Sequence, residues 1–195
     1  MQESNATVPP ATPLGPSQVG TAQSQDVAYY AVSPNKLAAL SVATLNCYAI
    51  YWLYRQWKAV RDAGERPLDI SPFGRALFGV FFIHELFTRI RVSSQSAGLN
   101  PTEDLKQQAT VWIVLVMIGN ALSRAKGSVA LLGMFVAMGA VVPLLAAQKE
   151  INAYLRKRNP AADLNGRFSA GNILVLVLGG LLILAAIAGS QIEGQ

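Results

Sequence analysis

His84 and Glu85 form an adjacent acid–base pair inside an apolar stretch of the sequence. A histidine beside a carboxylate could transfer protons or contribute ligands to a zinc site. The metalloprotease pattern needs a second histidine four residues after the first, and Thr88 occupies that position. His84 is the one histidine in the sequence, and Cys47 is the one cysteine. We therefore expect no metal, no cofactor and no enzymatic activity. A membrane enzyme that uses His84 and Glu85 remains the alternative.

Charged neighbours of this pair complete a candidate functional cluster of Arg75, His84, Glu85 and Arg89. Glu85 precedes Arg89 by four residues, the spacing at which opposite charges meet on one helical face. Arg75 lies ahead of the apolar stretch, Ala76 to Thr88. We interpret this cluster as the polar face of a helix.

Aromatic residues gather at Tyr51, Trp52, Tyr54 and Trp57. Amphipathic rings favour the headgroup level of a bilayer, so this group is predicted to anchor the protein at the membrane surface. Two amides, Asn46 and Asn120, fall within apolar runs, where side-chain amides commonly bond to neighbouring helices.

The elements that position these residues are predicted from composition and run length. The chain has 195 residues, of which 52% are hydrophobic and 14% are charged. Soluble domains carry about 25% charged residues, and crossing a bilayer takes roughly 20 apolar residues in a helix. The pattern predicts an all-α integral membrane bundle with four transmembrane helices. Their expected ranges are 37–54, 109–122, 129–147 and 170–189.

A fifth, phenylalanine-rich helix is predicted over about 72–90. Its apolar core is too short to span a bilayer comfortably, because 13 residues rise only about 20 Å. Ser71 and Pro72 form a good helix start. This helix is expected either to lie in the membrane interface or to form a re-entrant hairpin buried against its neighbours.

The distribution of Lys and Arg predicts the orientation, because short cytoplasmic loops collect cations. With four spans, 13 cations fall on the side of the loops 55–108 and 148–169, against three on the other side. A crossing by the phenylalanine-rich segment would reduce that contrast to nine against seven. Both termini are therefore predicted to lie outside the cytoplasm. Cations in membrane-flanking loops do not form the basic face that nucleic-acid binding requires.

Residues 1–35 contain no Lys or Arg and are rich in Ser, Thr, Gln, Pro and Gly, so we predict a disordered tail. Residues 36–190 are then one polytopic membrane domain, and 191–195 are a short C-terminal tail.

Four motifs occur in order along the membrane domain. They are Tyr51-Trp52-x-Tyr54-Arg55-x-Trp57, Ile70-Ser71-Pro72-Phe73-x-Arg75-Ala76-x-Phe78, Gln148-x-x-Ile151-Asn152 and Asn165-x-Arg167-Phe168-Ser169-x-x-Asn172. In these motifs, which span most of 48–189, the chain resembles an uncharacterised family of small bacterial multi-pass membrane proteins. The resemblance implies a protein of the bacterial cytoplasmic membrane and implies no substrate.

The sequence thus favours a non-enzymatic accessory or self-associating component of the bacterial inner membrane. Its expected partners are the lipid bilayer and either other membrane proteins or further copies of itself. The alternative from another class is a small oligomeric transporter or channel for neutral or hydrophobic cargo.

Overall fold

The computed structural model describes residues 27–63, 69–101 and 103–192. Within these ranges the chain is all-α, as predicted, and has no strand. The helices are α1 (Pro34–Ala43), α2 (Cys47–Asp62), α3 (Pro72–Leu77), α4 (Gly79–Ser96), α5 (Leu105–Leu122), α6 (Gly127–Gly139), α7 (Val141–Arg158) and α8 (Ala170–Ile192).

Three stretches of helix in the described part of the chain are long and apolar enough to cross a membrane. They are α5, the nearly continuous pair α6 and α7 over Gly127–Arg158, and α8 over Ala170–Gly189. These stretches contain the predicted ranges 109–122, 129–147 and 170–189. The fourth predicted span, 37–54, is absent from this set because its residues do not form one helix.

A sharp reversal interrupts the range 37–54. Leu45 and Asn46 take left-handed backbone conformations, with φ of 50° and 69°, between the end of α1 and the start of α2. Ahead of α1, the backbone N–H of Tyr30 donates to the side-chain oxygen of Gln56 in α2, at 3.0 Å. Because residues on either side of the reversal are in contact, α1 and α2 form a helical hairpin, in which the segment ahead of α1 lies against α2.

Two helices, separated by a break at one residue, replace the single helix predicted over 72–90. The side chain of Ser71 accepts a hydrogen bond from the N–H of Gly74, which confirms the predicted helix start. The helix breaks at Phe78, whose φ of −96° and ψ of 36° lie outside the helical region, and α4 begins at the next residue. A guanidinium nitrogen of Arg75 reaches a carboxylate oxygen of Glu85 at 2.5 Å, so the two helices meet at an angle that brings these side chains together.

One face of α4 lies in the protein core. Ile83, Leu86, Phe87 and Ile90 follow the three- and four-residue spacing of a helical face, and each is at most 1% exposed. Phe81, on the opposite face, is 78% exposed. The helix therefore packs against its neighbours on one face and exposes the other, and both predicted arrangements, interfacial and re-entrant, stay predictions.

The molecule has two distinct ends. At the first, which we call the polar end, the ammonium group of Lys36 donates to the side-chain oxygen of Asn165 and to the backbone carbonyl of Arg167. At the second, which we call the turn end, Gly189 of α8 borders the same groove as the α5–α6 turn at Ser123 and Lys126. Lys36 therefore lies at the same end as the loop after α7, whereas the four-span arrangement predicted opposite ends.

The segment ahead of α1 is ordered by its contacts. Tyr29 and Val32 are buried, at 4% and 0% exposure, within the main hydrophobic core. The prediction of disorder is therefore corrected for residues 27–35. Its remainder, residues 1–26, lies outside the described residues, as do residues 193–195 of the predicted C-terminal tail.

Candidate functional site

A network of buried side-chain amides holds the segment ahead of α1 against α2 and α7. The amide of Gln56 both accepts from the N–H and donates to the carbonyl of Tyr30, at 3.0 and 3.1 Å. The amide of Asn152 donates to the carbonyl of Val32 at 2.9 Å. Gln148 lies between them and donates to Asn152 at 2.8 Å. A backbone without regular structure can be buried here because side chains satisfy its polar groups.

The indole of Trp52 belongs to this amide network. Its N–H donates to the side-chain oxygen of Gln148 at 2.6 Å, and both residues are fully buried. Trp57 is also fully buried. The predicted role at the headgroup level is therefore corrected for these two residues, because their rings do not reach the protein surface.

Tyr51 is 42% exposed, and its hydroxyl accepts a hydrogen bond from Arg55 at 2.7 Å. Tyr54 is half-buried.

Tyr29 connects the same segment to α4 and α7. Its hydroxyl lies 3.1 Å from that of Ser93, and its ring packs edge-on against Tyr154 with 5.8 Å between ring centroids. Burial raises the pKa of Tyr29 to about 12, because the charged phenolate would lose its hydration.

The loop between α7 and α8 closes the site at the polar end. The side-chain amide of Asn165 donates to the hydroxyl of Tyr30 at 3.3 Å and accepts from Lys36 at 2.9 Å. Asn165 has a left-handed backbone, with φ of 49°, and its N–H bonds to the carboxylate of Asp163. Asparagine tolerates this conformation better than most residues. The loop thereby turns the amide of Asn165 towards Lys36.

Each of the four sequence motifs contacts either another motif or the segment ahead of α1. Trp52 of the first motif bonds to Gln148 of the third, and Asn165 of the fourth bonds to Tyr30. Arg75 of the second motif lies over the ring of Trp57, with its guanidinium carbon 4.4 Å from the ring centroid. The motifs are thus parts of one structural unit rather than separate sites.

The charged part of the predicted cluster forms an ion-pair bridge. Glu85 accepts hydrogen bonds from Arg75 on one oxygen and from Arg89 on the other, the latter at 2.9 and 3.1 Å. The Arg75 guanidinium also packs against Phe82, at 4.8 Å from the ring centroid. Each carboxylate oxygen therefore already has a cationic donor, and the bridge fixes α3 against α4.

His84, the remaining member of the cluster, faces a different helix. Its ring nitrogen Nε2 lies 3.1 Å from the hydroxyl of Thr110 in α5. The imidazole and the Glu85 carboxylate thus have separate partners, and the structure does not join them as an acid–base pair. Within residues 27–63, 69–101 and 103–192, no group of three metal-ligating side chains converges.

The two predicted intramembrane amides have different partners. The amide of Asn46 donates to the backbone carbonyl of Ala137 in α6 at 2.5 Å, a bond to a neighbouring helix as predicted. The amide of Asn120 donates instead to Val116, one turn earlier in its own helix. Asn46 and Asn120 nevertheless border one cavity, together with Ala137.

Sequence reasoning did not single out Gln56, Asn152, Lys36 or Asn165 as site residues. Gln56 lies between two tryptophans in the first motif, a signal that an amide shares a buried face with aromatic rings. Lys36 has no comparable signal, because a lone cation ahead of an apolar run looks like a membrane-flanking charge.

No family model, curated protein or solved structure matches this chain.

Proposed function

We propose that the protein is a non-enzymatic accessory or interaction component of a bacterial cytoplasmic membrane. In this proposal α5, α6 with α7, and α8 cross the bilayer. The hairpin α1–α2 and the bent pair α3–α4 enter it from the polar end without crossing it. The resemblance to small bacterial multi-pass membrane proteins supports the choice of membrane.

The distribution of cations supports this topology and assigns the polar end to the cytoplasm. In this topology, with Lys36 beside Asn165, 13 of the 15 Lys and Arg residues in the described part of the chain lie on the side of the polar end. Arg124 and Lys126, in the turn between α5 and α6, lie on the other side. This contrast exceeds the 13 to three of the four-span arrangement, as expected when short cytoplasmic loops retain cations.

The observation that carries the interaction role is the exposure of α8. Gly179 is the one buried position between Ala170 and Gly189, and this helix contacts the remainder mainly through α1 and α6. Leu178, Leu181, Leu182 and Leu184 are each more than half exposed. A spanning helix packed so lightly on its own chain has surface available for another membrane protein.

Photocrosslinking tests this role. A photoreactive residue at Leu182 in native membranes is expected to capture a second protein or a second copy of this chain. The matched control is the same residue at Phe81, which is exposed on α4 and distant from α8 in sequence. Capture from Leu182 but not Phe81 supports the role of α8. Lipid adducts alone at Leu182, together with a monomer in mild detergent, would contradict it.

The alternative is a small oligomeric transporter or channel for neutral or hydrophobic cargo. A specific observation favours it, namely that Asn46 and Asn120 border one otherwise apolar cavity between the α1–α2 hairpin, the α3–α4 break and α5. The test is flux of a neutral solute into proteoliposomes. If the wild-type protein shows this flux and the variants Asn46→Gly and Asn120→Leu do not, the transport function is favoured over the accessory role. Absence of flux above protein-free vesicles would exclude it.

A further inference from the structure

A groove of about 280 Å³ lies between the segment ahead of α1 and the C-terminal half of α2. Tyr30 lines it from the segment, and Arg55 and Lys58 line it from the helix. The groove belongs to the polar end, because the hydroxyl of Tyr30 accepts a hydrogen bond from Asn165. The other lining residues are Asp62 and three alanines, Ala28, Ala59 and Ala63.

The guanidinium of Arg55 is held in place by two tyrosine rings. Its central carbon lies 4.3 Å from the ring centroid of Tyr30 and 5.7 Å from that of Tyr51. Stacking uses the face of the guanidinium, whereas hydrogen bonds leave from its edge. Of the several N–H donors on that edge, one has an acceptor among the described residues, the hydroxyl of Tyr51. The other donors are oriented in advance, which lowers the entropy cost of binding a ligand.

The groove carries an excess of positive charge. Lys58 and Arg61 both donate to the carboxylate of Asp62, so two cations share one carboxylate. Arg55 adds a third cation and forms no ion pair with a described carboxylate. Two positive charges are therefore left without a described counter-ion. The side chain of Lys58 is 43% exposed, so a ligand can reach its ammonium group. A ligand that balances this charge must be anionic.

The exposed side of α2 changes in character along its length. Tyr51, Arg55 and Lys58 follow four- and three-residue spacing, so they lie along one stripe of the helix. Towards the α1–α2 reversal this side carries exposed Ile50 beside Tyr51. In the proposed topology α2 enters the bilayer from the polar end. Its cationic half then lies at the headgroup level, and its apolar half lies among the acyl chains.

We propose that this groove binds the phosphate of an anionic phospholipid. The edge of the Arg55 guanidinium and the Lys58 ammonium donate to the phosphate oxygens, and the acyl chains pack along Ile50 and Tyr51. The planar fork of an arginine matches a phosphate group, which gives the site its geometry. The proposal rests on the proposed membrane topology. It does not rest on the interaction role of α8, which contributes no residue to the groove.

Native mass spectrometry of the full chain in mild detergent tests the proposal, because it measures the Kd of the first bound lipid. The probes are dioleoylphosphatidylglycerol and, with the same acyl chains and a zwitterionic headgroup, dioleoylphosphatidylcholine. We expect the anionic lipid to bind about tenfold more tightly, as a charge-assisted hydrogen bond allows. Inorganic phosphate at the same concentration should not displace it, because free phosphate lacks the acyl chains.

Three variants locate the site. Arg55→Gln removes the charge and the fork, and should weaken binding of the anionic lipid about tenfold. Arg156→Gln is the matched control, since it removes an exposed cation from the last turn of α7, and should change the affinity about twofold at most. Ala28→Phe fills the groove from an exposed position without changing charge. It should abolish the preference for the anionic lipid even if Arg55→Gln does not fold.

Four results would overturn the proposal. Equal affinity for the two lipids would show that the headgroup charge is not recognised. An equal loss in Arg55→Gln and Arg156→Gln would indicate diffuse attraction to a basic surface. An unchanged preference in Ala28→Phe would place the lipid elsewhere, and displacement by inorganic phosphate would assign the groove to a soluble anion. Photocapture from Leu182 is a separate measurement, so a failure of the lipid site is distinguishable from a failure of the interaction role.

Discussion

The indole N–H of Trp52 donates to the side-chain oxygen of Gln148 at 2.6 Å, between residues 96 positions apart. This bond connects the hairpin α1–α2 to α7, the second half of the candidate span Gly127–Arg158. The same glutamine bonds to Asn152, which in turn holds the backbone of Val32. The amide network therefore ties the hairpin α1–α2, helix α7 and the segment ahead of α1 into one unit.

Replacing Gln148 should destabilise this unit. Gln148→Met keeps the approximate volume but leaves the Trp52 N–H and the Asn152 side chain without their buried partner. An unsatisfied buried polar group costs about 1–3 kcal/mol, so we expect a loss of at least that size in denaturant unfolding in detergent. Gln107→Met, at an exposed position, is the control and should change stability little. Equal stability of the two variants would contradict the role of the amide network.

A glycine contact fixes α8 against the hairpin α1–α2. A Cβ atom on Gly179 would overlap the backbone carbonyl oxygen of Ala43, whereas one on Gly180 meets no atom within 4 Å. We expect Gly179→Ala to lower stability by about 1–3 kcal/mol through overpacking. Gly180→Ala should be neutral or stabilising, since alanine favours a helix. Thermal unfolding in detergent makes the comparison, and similar midpoints for both variants would be inconsistent with this contact.

The two arginines that bond to Glu85 should respond differently to a change that conserves charge. Arg75→Lys loses the planar packing on Trp57 and Phe82, and we expect a cost of about 1–2 kcal/mol. Arg89→Lys retains an ion pair at four-residue spacing on an exposed surface, worth about 0.5 kcal/mol at most. Denaturant unfolding measures both. A larger loss for Arg89→Lys would show that charge, rather than packing, dominates the bridge.

The pKa of Tyr29 predicts a dependence of stability on alkaline pH. Burial raises this pKa to about 12, above the value of about 10 for an exposed tyrosine. The folded state holds the Tyr29 proton more tightly than the unfolded state does. The resulting contribution to the free energy of unfolding is therefore fully present below pH 10 and is lost as pH rises towards 12. Unfolding free energies from pH 8 to 11.5 should fall less steeply in Tyr29→Phe. The same slope in both proteins would contradict the assignment to Tyr29.

Regular apolar runs were the reliable signal in this sequence. They located α5, the α6–α7 pair and α8, because a spanning helix needs length and hydrophobicity that few other elements share. The cap at Ser71 and the pair Glu85–Arg89 are local features, and both were predicted correctly. Composition could not separate a spanning helix from a helical hairpin at 37–54, because both require apolar residues. The reversal depends on a left-handed backbone at Leu45 and Asn46. A leucine in a sequence does not predict that conformation.

The site depends on contacts between residues far apart in the chain. Trp52 and Trp57 resemble interfacial anchors in sequence, since the same amphipathic ring suits a headgroup region or a buried bond to an amide. The contacts with Gln148 and Arg75 decide that the two tryptophan rings are buried. Neither of these contacting residues is adjacent to the tryptophans in the sequence. Lys36 likewise lies at the polar end because the first helix pair reverses, a feature that the pattern of cations alone did not reveal.

Side-specific cysteine labelling tests the proposed topology most directly. In a Cys47→Ser background, single cysteines at Ala28, Ala161 and Ala125 occupy exposed positions ahead of α1, in the loop after α7 and in the α5–α6 turn. An impermeant maleimide added to intact spheroplasts should label position 125. Positions 28 and 161 should be labelled only when the spheroplasts have been lysed. Labelling of position 28 together with position 125 in intact spheroplasts would contradict the three-span account and restore four spans.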